Sequence, residues 1–155
     1  MESARAAAEA AVAPKRKGPA SLGKGEAHGF PLVIGLSHKT ATVEVREKLS
    51  IPESAWNEAA AALVSYDTIE EAAVLSTCNR FEVYIVAKDH FAATRDVLAF
   101  LRGHSGLETA ELRPNLFMLQ DDEATMHLLR VSSGLDSLVV GEGQILSQVS
   151  VCPRG

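Results

Sequence analysis

EAAVLSTCNRFEVYIVAK, residues 71–88, decides the fold. It opens as an apolar run and breaks at a cluster of short polar residues, Ser76, Thr77 and Asn79, which favour turns. It then resumes with Phe81, Val83 and Ile85 alternating with Glu82, Tyr84 and Val86. Two strands joined by a tight polar turn satisfy this pattern, because side chains on a strand alternate between faces with period two. Cys78 and Arg80 lie at the turn.

Upstream, order begins at Phe30. PLVIGLSH (31–38) reads as a buried strand. KTATVEVREKL (39–49) follows as a loop with one helical turn. Ser50-Ile51-Pro52-Glu53 has the form of a capping box with proline in the first turn. It introduces a helix with Trp56, Ala60, Leu63 and Val64 on one face. Downstream, FAATRDVLAFLRGHSG (91–106) is a helix with Val97, Leu98 and Leu101 on one face, closed by Gly103 or Gly106. NLFMLQ (115–120) is a fourth strand, and DDEATMHLLRVSSGL (121–135) is a helix whose acidic opening suits the positive end of its dipole. The order β-α-β-β-α-β, followed by helices, predicts an α+β fold. It is the ferredoxin-like split βαβ sandwich, a four-stranded antiparallel sheet with two helices on one face.

Composition narrows the function classes. The chain is 46% hydrophobic and 23% charged, as globular proteins are. No apolar run approaches the ~20 residues of a membrane span. A net charge of -5 means that affinity for nucleic acid has to come from a local patch. Two cysteines, Cys78 and Cys152, are too few for a disulfide framework, and no cysteine pair or histidine cluster has metal-ligand spacing. Residues 1–30, Ala-rich and then rich in Gly, Pro and Lys, read as a disordered extension or the remnant of a transit peptide.

Cys78 is flanked by Ser76, Thr77, Asn79 and Arg80 instead of apolar residues. A thiol at a strand end beside a cation has the setting of a nucleophile, and a surface β-turn accounts for the same residues. His127 shares the apolar stripe of its helix with Ala124, Leu128 and Val131. It is either a core histidine or a general acid or base facing a cleft. In GLDSLVVGEGQILSQV (134–149), Gln144 and Gln148 are four apart on one helical face, and Ser137 and Glu142 join them in a possible polar pocket. The glycines there do not form a dinucleotide fingerprint. The loop His38-Lys39-Thr40 reads as solvated polarity.

Four pieces, GLSHKTATVEVRE, LSTCNRFEVY, HLLRVSSGLDSLVVGE and GQILSQV, occur in the order in which they resemble the N-terminal catalytic domain of glutamyl-tRNA reductase. The resemblance implies a domain over residues 31–149. It also implies NADPH-dependent reduction of glutamyl-tRNA to glutamate-1-semialdehyde through a Cys78 thioester, the first step of tetrapyrrole synthesis. It places the nucleophile at Cys78 and the histidine important for activity at His127. Substrate contacts fall on Thr77, Cys78, Asn79, Arg80, Ser137, Glu142, Gly143, Gln144 and Gln148, with Arg80 pairing the substrate's side-chain carboxylate. Gly143, where many bacterial members have Pro, resembles plant enzymes of the chloroplast stroma. The family's homodimerisation and NADPH-binding domains find no counterpart, and residues 150–155, SVCPRG, read as an aberrant truncated tail. The expectation is a stretch that binds and acylates without completing the reduction. The alternative is a non-catalytic substrate- or partner-binding fragment.

Overall fold

The computed structural model describes residues 29–136. Strand β1 (Phe30–Ser37) is buried from Leu32 to Ser37 without a break. Burial on both faces is what its uninterrupted apolar run requires, and β1 accordingly lies inside the sheet. It pairs with β3 (Arg80–Ala87) on one side and β4 (Phe117–Gln120) on the other. β2 (Ile69–Ser76) adds outside β3, giving the order β2-β3-β1-β4 with every pair antiparallel. This is the ordering of the split βαβ arrangement that the sequence predicts.

Leu32, Ile34 and Leu36 of β1 stand opposite Ile85, Val83 and Phe81 of β3 and therefore share a face with them. With Val74 of β2 they meet Trp56 and Leu63 of α2 (Trp56–Val64), and Ala93, Val97 and Leu101 of α3 (His90–Ser105), in one apolar core. Asp89 caps α3 by accepting from the N–H groups of Phe91 and Ala92. Gly106, not Gly103, ends it, because the chain turns there at φ 69°, a conformation that costs glycine little. A short helix α4 (Thr109–Leu112) and a 3-10 turn (Arg113–Asn115) lead into β4.

Three local expectations are corrected. The stretch 39–49 is more than a loop with one turn: Val43–Leu49 forms a seven-residue helix, α1, with Leu49 buried. Ser50 does not cap the next helix. Its N–H donates to Glu47 O and closes α1 instead. Ile51 is buried, and its N–H donates to Ser76 Oγ on β2 at 3.0 Å. Pro52 stays extended at ψ 147°, so the chain enters α2 through a 3-10 turn, Glu53–Ala55. An Ile51 tied to the sheet cannot also sit at a helix N-terminus. Along α2 the buried residues are Trp56, Ala59 and Leu63, and Val64 faces outward.

The second face of the sheet is covered by α5 (Asp121–Ser132), which packs on β1 and β4. β4 runs directly into it, Asp121 making the corner at φ 52°. On this face Gly35 and Ser37 stand opposite Glu82 and Arg80. Gly35 is required there. A Cβ on it would lie 2.7 Å from Glu82 Cγ and 2.7 Å from the Phe81 carbonyl oxygen. Among the described residues no helix is long and apolar enough to cross a membrane.

Candidate active site

Residues 77–79 connect β2 to β3, and their backbone is held from several sides. Thr77 N–H donates to Arg80 O at 2.8 Å, and Asn79 N–H donates to Thr77 Oγ1 at 3.2 Å. Across the sheet, His38 N–H donates to Asn79 O at 2.8 Å. From α1, Arg46 donates through Nε to Cys78 O at 3.3 Å and through Nη1 to Ala41 O at 2.8 Å. Cys78 is left as an exposed free thiol on an anchored turn. Thr77 and Asn79 thus serve the turn's own geometry, as short polar residues commonly do.

Beneath the turn lies a charged cluster that the alternation in β3 did not reveal. Arg80 and Glu82 have side chains 1% and 0% exposed, and they are joined at 2.6 Å between Arg80 Nη1 and Glu82 Oε1. Burying charge without a partner is prohibitive, and each member here has partners. The Glu82 carboxylate also meets His127 Nε2 at 3.0 Å and accepts from the Tyr84 hydroxyl. Arg80 Nη2 donates to Asp136 twice, to its carbonyl oxygen at 2.7 Å and to Oδ2 at 2.9 Å. Lys39 Nζ reaches the other Asp136 oxygen at 2.6 Å.

Burial alone would push the Glu82 carboxyl up. Hydrogen bonds from His127 and Tyr84 and the Arg80 charge outweigh it and hold the group below the usual carboxylate range. For Arg80, burial pulls down and the Glu82 and Asp136 carboxylates prevail, so its pKa is raised. Asp136 resists burial through Lys39 and Arg80 and is lowered. Tyr84 is driven up by burial and by the Glu82 charge, so it stays a phenol. An ionised Glu82 only accepts, so His127 donates from Nε2, and a neutral imidazole then carries its lone pair on Nδ1. The ring is fixed further by Phe117, edge-on with centroids 5.1 Å apart, and by Tyr84, stacked at 6.4 Å.

The sequence-predicted residues therefore divide. Thr77, Cys78 and Asn79 share one turn, Arg80 sits under it, and His127 joins Arg80 through Glu82. His127 meets Glu82 and not Cys78 directly. The carboxylates that Arg80 grips are the chain's own. Ser137, Glu142, Gly143, Gln144 and Gln148, the helix expected from Gly143, Cys152, the tail 150–155 and most of the N-terminal extension lie outside the described residues. Sequence reasoning missed Arg46, Glu82, Tyr84 and Asp136, and it took Lys39 for a solvated loop residue. One signal was available for Glu82: Arg80 and Glu82 are two apart on a strand, and so share a face. Among the described residues no three His, Cys, Asp or Glu side chains gather as metal ligands.

A sequence model of the family described as "Glutamyl-tRNAGlu reductase, N-terminal domain" matches residues 34–152. Among curated proteins, the chain is 60% identical over 117 residues to a glutamyl-tRNA reductase of Cyanothece sp., covering 76% of this chain and 27% of the relative. It is 54% identical over 121 residues to that of Cyanophora paradoxa, covering 78% and 28%. Among solved structures, the glutamyl-tRNA reductase of Methanopyrus kandleri aligns with a TM-score of 0.56 at 30% identity, over 77% of this chain and 26% of that one. The chain spans about a quarter of the length of the relatives it matches.

Proposed function

The chain belongs to the glutamyl-tRNA reductase family, in the region of its N-terminal domain, and from that premise we propose that Cys78 takes the glutamyl group from glutamyl-tRNA as a thioester. The observation that carries the reading is the exposed Cys78 thiol on a turn tied down by His38 and Arg46. An aminoacyl ester is already activated. The Cys78 sulfur bonds to the glutamyl carbonyl carbon, the ester C–O bond breaks, and the terminal ribose oxygen leaves and takes up a proton. His127, held through Nε2 by Glu82, is the proposed general acid: once Nδ1 as well as Nε2 carries a proton, the ring can protonate the departing oxygen.

Arg80 is the proposed partner of the substrate's side-chain carboxylate. With Glu82 and Asp136 already on its Nη groups, that role requires Asp136 to yield or share. Thr77 and Asn79, with Ser137, Glu142, Gly143, Gln144 and Gln148, complete the proposed substrate contacts.

The whole reaction in this reading is NADPH-dependent reduction of glutamyl-tRNA to glutamate-1-semialdehyde, the first step of tetrapyrrole synthesis, by a homodimeric enzyme of the chloroplast stroma. Likeness to cyanobacterial proteins and to one from Cyanophora paradoxa supports the plastid setting. The described residues do not fit NADPH. The β1–α1 connection contains no glycine, and none of the four strands runs through a glycine-rich turn into a helix N-terminus. The part proposed for residues 29–136 is accordingly acyl transfer, followed by slow release of glutamate to water.

The test is incubation of the chain, as Cys152→Ser, with radiolabelled glutamyl-tRNA, acid quench and peptide mapping. A hydroxylamine-labile glutamyl adduct on Cys78, absent in Cys78→Ser, is expected. An adduct that persists in Cys78→Ser removes Cys78 from the reaction. tRNA binding with no adduct would make the domain a binding module instead.

A further inference from the structure

We infer that Arg46 is the positioning residue of the Cys78 turn, an inference that rests on Cys78 being the acyl acceptor. Among the described residues, Arg46 is the one side chain that bonds the main chain of Cys78 itself. It does so as a fork, with Nε on Cys78 O and Nη1 on Ala41 O. The two carbonyls belong to separate segments, the β2–β3 turn and the residue just before α1. A planar guanidinium locks them in one plane, which an ammonium cannot do.

Arg46 also differs from Arg80. Arg80 is buried and held by two carboxylates. Arg46 is half-buried, and no carboxylate among the described residues pairs with it. Its hydrogen-bonding capacity is directed to backbone oxygens. The carbonyl it holds belongs to the peptide group immediately after Cys78. That peptide plane fixes ψ of Cys78, and with it the direction in which the Cα–Cβ bond carries the sulfur. Within the turn the same peptide group is held by its N–H, Asn79 N–H donating to Thr77 Oγ1 at 3.2 Å, and His38 N–H holds Asn79 O one peptide further on. Among the described residues Arg46 is the hold that ties this peptide plane to a residue outside the turn, so removing it loosens the plane against the rest of the domain while leaving the strands paired.

Productive attack needs reacting atoms about 3–3.5 Å apart, and a misplacement of about 1 Å costs roughly 100-fold in rate. The experiment is single-turnover acylation of the full chain, in the Cys152→Ser background, by glutamyl-tRNA across a concentration series. Arg46→Ala is expected to lower the saturating rate constant about 10- to 100-fold with the half-saturating concentration changed less than about twofold. Arg46→Lys is expected to fall as far, since one ammonium cannot span both carbonyls; full rescue by lysine would overturn positioning in favour of charge alone. A rise in half-saturating concentration at unchanged rate would overturn it in favour of substrate binding.

A second measurement needs no variant and no acylation. In the native chain the Arg46 Nε–H proton should exchange with water more slowly than that of exposed Arg113. Equal exchange would overturn the clamp, whatever becomes of the acyl-acceptor reading. If the native chain forms no adduct while Arg46 Nε–H is protected, the acyl-acceptor reading fails and the clamp stands.

Discussion

Glu82→Gln is the most informative perturbation of the charged cluster. The substitution keeps shape and hydrogen-bonding capacity. The amide oxygen can still accept from Arg80 and His127, and the amide nitrogen can donate to the Tyr84 hydroxyl. What disappears is the negative charge beside a guanidinium that is 1% exposed. Breaking a buried pair by removing one partner costs about 3–5 kcal/mol. Asp136 remains on Arg80 Nη2, which places the expectation at the low end, about 3 kcal/mol at pH 7. The dependence on pH carries a sign. The folded pKa of Glu82 is depressed, so its contribution is fully present above the unfolded value of about 4.3 and is lost as pH falls through the lower folded value. Below that point a protonated Glu82 resembles glutamine, and the two proteins converge. Urea unfolding of both chains between pH 7 and pH 2.5 measures this. A gap under about 1 kcal/mol at pH 7, or a gap that does not shrink in acid, would refute the assignment of Glu82 as a buried ionised partner of Arg80.

Gly35→Ala should destabilise the domain by about 1–3 kcal/mol, because its Cβ meets Glu82 and the β3 backbone at 2.7 Å; urea midpoints check this, and a neutral result would mean that β1 and β3 do not approach so closely. Tyr84→Phe should cost about 1.5–3 kcal/mol, since it removes a hydrogen bond to a charged acceptor, and its cost should vanish when combined with Glu82→Leu in a double-mutant cycle. Asp89→Ala removes the α3 cap and should cost about 1 kcal/mol, while Glu108→Ala at the four-residue α4 should cost less; thermal melts of the pair compare them.

The strands and their order were legible because residues 71–88 carry both halves of the needed signal: alternation in β3, and a polar break too short for anything but a turn. β1 was legible from an apolar run that only a strand buried on both sides explains. The helix starting at Val43 was less so. Val43 and Val45 are β-branched and Val43 is exposed, so propensity and pattern both argue against it. Its contacts with α3 and β3 hold it in place. Ser50 shows the opposite failure, a correct capping pattern overridden because Ile51 is tied to Ser76 on β2.

At the site, Cys78 stood out for its polar company. Arg80 was read as the partner of a substrate carboxylate, and the structure sets two of the chain's own carboxylates on it. Glu82 was passed over because a period of two assigns residues to faces and does not say whether a face is covered. Only α5, arriving some forty residues later, decides that. Arg46 lies within one of the stretches that carry the family resemblance, but nothing in its sequence setting pointed to its contacts, because its partners are backbone oxygens, which every residue type possesses.

The anchoring of the Cys78 turn has a bearing on when the site comes into being. The hydrogen bonds that shape it join residues far apart in sequence: 32 positions for Arg46 and Cys78, 45 for His127 and Glu82, 56 for Arg80 and Asp136. Each closes a long loop, and the entropy of closure is met only once the central strands have paired. The β2–β3 hairpin alone, which is local, presents the cysteine with Arg80 and Glu82 but without Arg46, His127 or Asp136. By loop-closure entropy, the full set of contacts around the Cys78 turn is expected among the last features of the domain to form.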